Sequence, residues 1–180
     1  MKRIFALLLC LMLLPFAALA EEQIITITCT GDTTLGSNKR VQTKYCEASY
    51  QYYIEQNGYA WPFAGIRHLT ENDDITLVNL EGVLHMPEEL STSRFAFNGP
   101  ADYAKILSEG SVEIVNLANN HTDDYDKAGY KSTIEALEAE GIPYSGETAF
   151  GRDVYWFDFE NVVRIGFIGL IPSYNAENEN

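Results

Sequence analysis

Asp32, Glu81, Asn120 and His121 carry donor atoms suited to a metal or a phosphate, and each follows an apolar run of β type. Asp32 comes after Ile24-Ile25-Thr26-Ile27-Thr28-Cys29-Thr30 and Gly31. Glu81 follows Ile75-Thr76-Leu77-Val78 within Asn79-Leu80-Glu81-Gly82, and Asn119-Asn120-His121 follows Val112-Glu113-Ile114-Val115-Asn116-Leu117-Ala118. Loops at the carboxyl ends of parallel strands converge, and sites of α/β proteins form there. Two carboxylates, an amide oxygen and one imidazole suit divalent ions of the Mn, Fe or Zn type. His121 adds a group able to give a proton or bind an oxyanion, which makes it, with Asp32, the candidate catalytic pair.

Each of these residues also has a structural reading. Gly31-Asp32-Thr33-Thr34 suits a turn or a cap, and Glu81 suits the cap of a following turn. His121 alone would pass for a structural histidine. Only the three strand endings taken together favour a site. Asn79, Asn119 and Asp124 are the neighbours expected to hold the donors in place. Asp123 and Asp124 suit the cap of the helix beginning near Lys127, and Asp124 could instead orient His121. His68 reads as a helix-surface residue and His85 as a loop residue.

The elements that must position these residues alternate along the chain. A tyrosine-rich helix is expected over 47–56. A short helix opened by Trp61-Pro62 should carry Phe63, Ile66 and Leu69 on one face. Asn98-Gly99-Pro100 starts a helix through Leu107 that stops at Gly110, a good C′ residue. The clearest helix spans 127–140, with Tyr130, Ile134 and Leu137 facing the core and Gly141 and Pro143 ending it. Strands are expected at 24–30, 75–78, 112–118 and 142–145, followed by a hairpin-like pair at 153–159 and 162–171. The order βαβαβαβ predicts a layered α/β domain with a mostly parallel sheet.

Lys2-Arg3, an apolar run to Leu19 and Ala18-Leu19-Ala20 describe a signal peptide over 1–20. An uncleaved N-terminal anchor is the alternative, and the signal segment is the sole membrane contact expected. The domain is placed at 21–174, with a polar tail at 175–180. The formal net charge of −14 disfavours nucleic acid as a partner. An exported chain permits a disulfide between Cys29 and Cys46, but a free, buried Cys29 is the preferred reading. The basic cluster Lys39, Arg40 and Lys44 reads as solvated. The chain stops soon after a strong apolar strand, so it is expected to be the front part of a longer domain.

Several motifs in one order carry a resemblance: Gly31-Asp32-Thr33-Thr34-Leu35-Gly36, Trp61-Pro62-Phe63-Ala64-Gly65, Asn79-Leu80-Glu81-Gly82, Arg94-Phe95-Ala96-Phe97 and Asn116-Leu117-Ala118-Asn119-Asn120-His121. Ala136-Leu137-Glu138-Ala139-Glu140-Gly141-Ile142 and Arg164-Ile165-Gly166-Phe167-Ile168-Gly169 continue it. The chain resembles the CapA family, the poly-γ-glutamate capsule synthesis proteins with a metallophosphatase-like domain. The resemblance implies a four-layer αββα sandwich of the calcineurin-like type, incomplete here at its C-terminus. It also implies a site for up to two divalent ions at Asp32, Glu81, Asn120 and His121. Two departures matter. Asp126 stands where the family usually has glycine after the Asp-Tyr pair. The family's later histidine motifs are absent, and the whole chain has 3 histidines, so the site as given is half a site.

The resemblance implies an exported bacterial protein, secreted or at the cell surface, whose partners are poly-γ-glutamate or its synthesis machinery. Two functions compete. One is a metal-dependent hydrolase or transferase, this chain alone being inactive; the fold type permits phosphoester chemistry, whereas the polymer suggests amide chemistry. The other is a non-catalytic surface component that handles the polymer through contacts, which the missing histidines favour.

Overall fold

Two strands made almost wholly of apolar and β-branched residues form the centre of the molecule. In the computed structural model, which describes residues 22–38, 49–89, 91, 93, 95–146, 154–159 and 163–171, these are β2 (Ile75–Leu80) and β5 (Ile114–Asn116). They are flanked by β1 (Ile27–Thr33) and β6 (Tyr144–Ser145) in a parallel sheet of order β1-β2-β5-β6. Near-continuous apolar runs suit parallel strands, which are covered on both faces. The signal segment, Lys39, Arg40, Lys44, Cys46, Arg94 and the polar tail lie outside the described residues.

Parallel neighbours require crossover connections. The first crossover holds α1 (Tyr50–Asn57), a 3-10 turn at Trp61–Phe63 and α2 (Arg67–Thr70). Ser49 caps α1 by accepting from the Tyr52 amide. The second holds a short parallel pair, β3 (Val83–Leu84) with β4 (Asn98–Gly99), then a 3-10 turn at Ala101–Tyr103 and α3 (Ala104–Glu109). The third is α4 (Asp126–Ala139). Val78, Leu80, Val115 and Leu117 meet Ile54, Phe63, Ile106, Leu107 and Leu137 in one core. Alternation along a strand then sends Leu77, Asn79 and Asn116 to the opposite face.

After β6 the chain forms an antiparallel hairpin, β7 (Tyr155–Phe159) and β8 (Val163–Phe167). Ser145 Oγ donates to the Phe167 carbonyl at 3.2 Å and accepts from the Gly169 amide at 2.9 Å, which ties the end of β8 to the sheet. The fold is thus a mixed α/β structure with a parallel sheet. No helix among the described residues is long and apolar enough to cross a membrane.

Several local expectations need correction. Ile66 and Leu69 are exposed, because the Trp61–Phe63 turn is 3-10 and rotates them off the side on which Phe63 is buried. Asn98-Gly99 is a strand, so the next helical segment starts only at Ala101. Gly110 does follow α3, yet the left-handed residue is Ser111, at φ 56°. In α4 the fully buried positions are Gly129, Thr133, Ala136 and Leu137, with Tyr130 and Ile134 half-buried beside them. Cys29 is free and exposed rather than buried, since β1 is an edge strand.

Candidate functional site

The placement of Asp32 depends on a bulge. In β1 the partner of Leu77 is Cys29, but the partner of Asn79 is Asp32, so β1 spends one residue more than β2 over this stretch. A regular strand would have set Gly31 beside Asn79 and sent Asp32 to the helix face, because a slip of one residue exchanges the faces. The extra residue brings Asp32 level with Asn79, and Asn79 Nδ2 donates to Asp32 Oδ1 at 2.7 Å. Asp32 and Asn79 therefore lie inside strands, not after them.

Glu81 leaves β2 just beyond the rim. Thr34 Oγ1 donates to its Oε2 at 2.8 Å, and its Oε1 lies 3.4 Å from His121 Nε2. Gly82 follows at φ +99°, where an added Cβ would lie 2.9 Å from both the carbonyl oxygen and the Cβ of Phe97. Only glycine makes this turn without strain.

Beyond β5 the chain turns tightly, with the Thr122 hydroxyl donating to the Leu117 carbonyl. Asn119 organises the turn. Its Nδ2 donates to the Leu80 carbonyl at 2.8 Å and to Asn79 Oδ1 at 3.2 Å, while its Oδ1 accepts from the His121 amide at 2.9 Å. His121 Nδ1 lies 2.9 Å from Asp124 Oδ2, and the same oxygen accepts from the Phe97 amide at 2.6 Å. The side chains of His121 and Asp124 are only 12% and 13% exposed, so the pair is shielded from solvent screening. The Phe97 ring meets the imidazole edge-on at 4.8 Å. Burial raises the pKa of the nearby Tyr125 hydroxyl; a bond from the Ser91 amide opposes this and the Asp124 carboxylate adds to it.

The structure thus places Glu81, His121 and Asp124 in contact and joins Asp32 to them through Asn79 and Asn119. Asn120 is exposed on the turn. Asp124 does not cap α4, whose N-terminus has no side-chain cap. His68 is exposed on α2, and His85 packs edge-on against Tyr125 at 6.5 Å. Sequence reasoning overlooked Asn116, whose Nδ2 donates to Asn79 Oδ1 at 2.7 Å. A signal was present: Leu77-Val78-Asn79-Leu80 and Ile114-Val115-Asn116-Leu117 share one pattern, an asparagine at the same place in two apolar strands.

This geometry sits on a chain with clear relatives. The family model described as "Bacterial capsule synthesis protein PGA_cap" matches residues 26–179. The chain belongs to that family. One relative, the "Capsule biosynthesis protein CapA" of Bacillus anthracis, is 24% identical over 163 residues, which cover 87% of this chain and 37% of the relative. This PGA_cap chain therefore spans little more than a third of the length of the curated relative it matches. In this chain, Asn79-Leu80-Glu81-Gly82 and Asn119-Asn120-His121 are two segments that meet at the rim.

Proposed function

We propose that this chain acts outside the cytoplasm, secreted or at the cell surface, in the synthesis, export or surface retention of poly-γ-glutamate, with hydrolase or transferase chemistry at the rim. The signal-type segment over 1–20 supports the location, and the capsule family supports the process. The four-layer αββα arrangement belongs to the same proposal, supported by a second, antiparallel pair of strands whose end is bonded to Ser145 of the parallel sheet.

The observation that carries the chemistry is the line from Asp124 through His121 to Glu81. With Nδ1–H directed at Asp124, Nε2 is the atom left to take or give a proton at the rim. Glu81, steadied by Thr34, faces that atom. Asp32, Glu81, Asn120 and His121 are the residues that would hold ions of the Mn, Fe or Zn type. Their donor types fit such ions, but their number does not complete a site. Asp32 Oδ1 is taken by Asn79, and no group of three or more His, Cys, Asp or Glu among the described residues is set to hold a metal. Further ligands are required.

That shortfall also favours a second reading, a non-catalytic component that handles the polymer. Capsule formation separates the two. A capsule-forming strain lacking the gene is supplied with the full-length gene, unsubstituted or carrying Asp32→Ala or His121→Ala, and cell-bound polymer is measured. The catalytic reading expects polymer from the unsubstituted gene alone. Polymer restored by both variants sinks it and leaves the non-catalytic reading.

A further inference from the structure

Asp32, Asn79, Asn116 and Ser145 form one register row across β1, β2, β5 and β6. We propose that Asn116 is a positioning residue for Asp32, acting through Asn79. An asparagine side chain has one accepting end and one donating end. Asn116 Oδ1 accepts from the Ala118 amide at 3.2 Å, which turns its Nδ2 toward Asn79 Oδ1 at 2.7 Å. Asn119 Nδ2 donates to the same oxygen at 3.2 Å. Two donors on one end of Asn79 leave its other end, also a donor, facing Asp32 Oδ1 at 2.7 Å. The polarity of the row therefore runs from β5 to β1 and ends on a charge.

This matters because Asp32 is exposed on an edge strand. Nothing in its own strand fixes its carboxylate. The relay pins Oδ1 by the bond from Asn79 Nδ2. The far end of the row is held as well. An added Cβ at Gly169 would lie 2.4 Å from Asn116 Oδ1 and 2.9 Å from the Ala118 Cβ, so the chain leaving β8 packs its backbone directly on the Asn116 amide. The segment after β8 thereby packs on the residue that sets the orientation of Asn79.

The functional meaning rests on the reading of Asp32 as a site residue, but the relay itself is testable without any metal or substrate. Asn116→Asp replaces the donor by a second acceptor, so Asn79 then has a carboxylate on each side and one donating end between them. Unfolding in urea is compared for Asn116→Asp alone, for Asp32→Asn alone and for both together. Residues that share a network give non-additive losses. Asn116→Asp should lower the folding equilibrium constant by roughly a hundredfold in the native background, and by about tenfold or less with Asp32→Asn, where the row can reverse its polarity. With Asn79→Ala added to every member, the difference should vanish. Equal losses in the two backgrounds overturn the proposal. So does a difference that survives Asn79→Ala, which would mark repulsion through space. Should Asn116→Asp fail to fold, hydrogen exchange in the unsubstituted protein decides. The Asn79 side-chain amide protons should exchange more slowly than those of exposed Asn120, and equal rates overturn the relay. Failure of the capsule reading would leave all these results unchanged.

Discussion

Removing the Asp124 carboxylate should cost more than a change at an ordinary helix start. One oxygen, Oδ2, accepts from the Phe97 amide at 2.6 Å and faces His121 Nδ1 at 2.9 Å. Hydrogen bonds to a charged acceptor are worth about 1.5–3 kcal/mol each. The two share an oxygen and do not simply add, so Asp124→Ala is expected to cost about 3 kcal/mol. For a chain of this size that corresponds to a fall in Tm of roughly 6–12 °C. Asp124→Asn keeps an acceptor for Phe97 and loses the charge, so about 1 kcal/mol is expected. Urea unfolding followed by circular dichroism, with the slope checked for constancy, gives both values. The reasoning is refuted if Asp124→Ala costs less than about 1 kcal/mol, the range of a lost cap, or if the two variants cost the same.

Three further outcomes follow from single positions. Asp126 is left-handed at φ 53°, where glycine is unstrained, so Asp126→Gly should raise stability by about 0.5–1 kcal/mol, read as a higher Tm. Gly82→Ala should lower stability by more than about 1 kcal/mol, since it combines a positive φ with a Cβ that meets Phe97; an unchanged Tm would contradict the turn geometry. Burial raises the carboxyl pKa of Glu113, the bond from the Thr76 amide opposes this, and Asp73 adds to it. A carboxyl raised on folding favours the fold while protonated, and that contribution is lost as pH rises through the folded value. Glu113→Gln should therefore stabilise the protein at neutral pH, with the gain fading as pH falls through the raised folded value and gone below about 4.

The parallel sheet was legible because apolar runs alternated with helical periods, and most residues of β2 and β5 are buried. The main alternation of strands and helices followed from the same pattern, but the short β3–β4 pair did not, since Asn98-Gly99 reads as a helix start. What could not be read was register. The bulge that turns Asp32 onto the face of Asn79 leaves no mark in hydrophobic pattern, because β1 is an edge strand with most of its residues exposed. The role of Asn116 was hidden for the opposite reason: one polar residue in a buried run looks like an interruption until its neighbours across the sheet are known. Asp124 read as a helix cap or as a partner for His121 from spacing alone, and only the approach of the Phe97 amide and His121 decides which. The Ile66–Leu69 face was misjudged because a 3-10 turn and an α-turn place the following residues differently.

Calorimetric titration of Mn²⁺ into the chain, and into its Asp32→Ala and His121→Ala variants, tests the proposal that residues at the carboxyl ends of β1, β2 and β5 share one site for a divalent ion. Because the described donors do not complete a coordination sphere, weak binding by the unsubstituted chain is expected, and each substitution alone should weaken or abolish it. The same affinity in all three proteins would locate the ion away from the rim and rule the proposed site out.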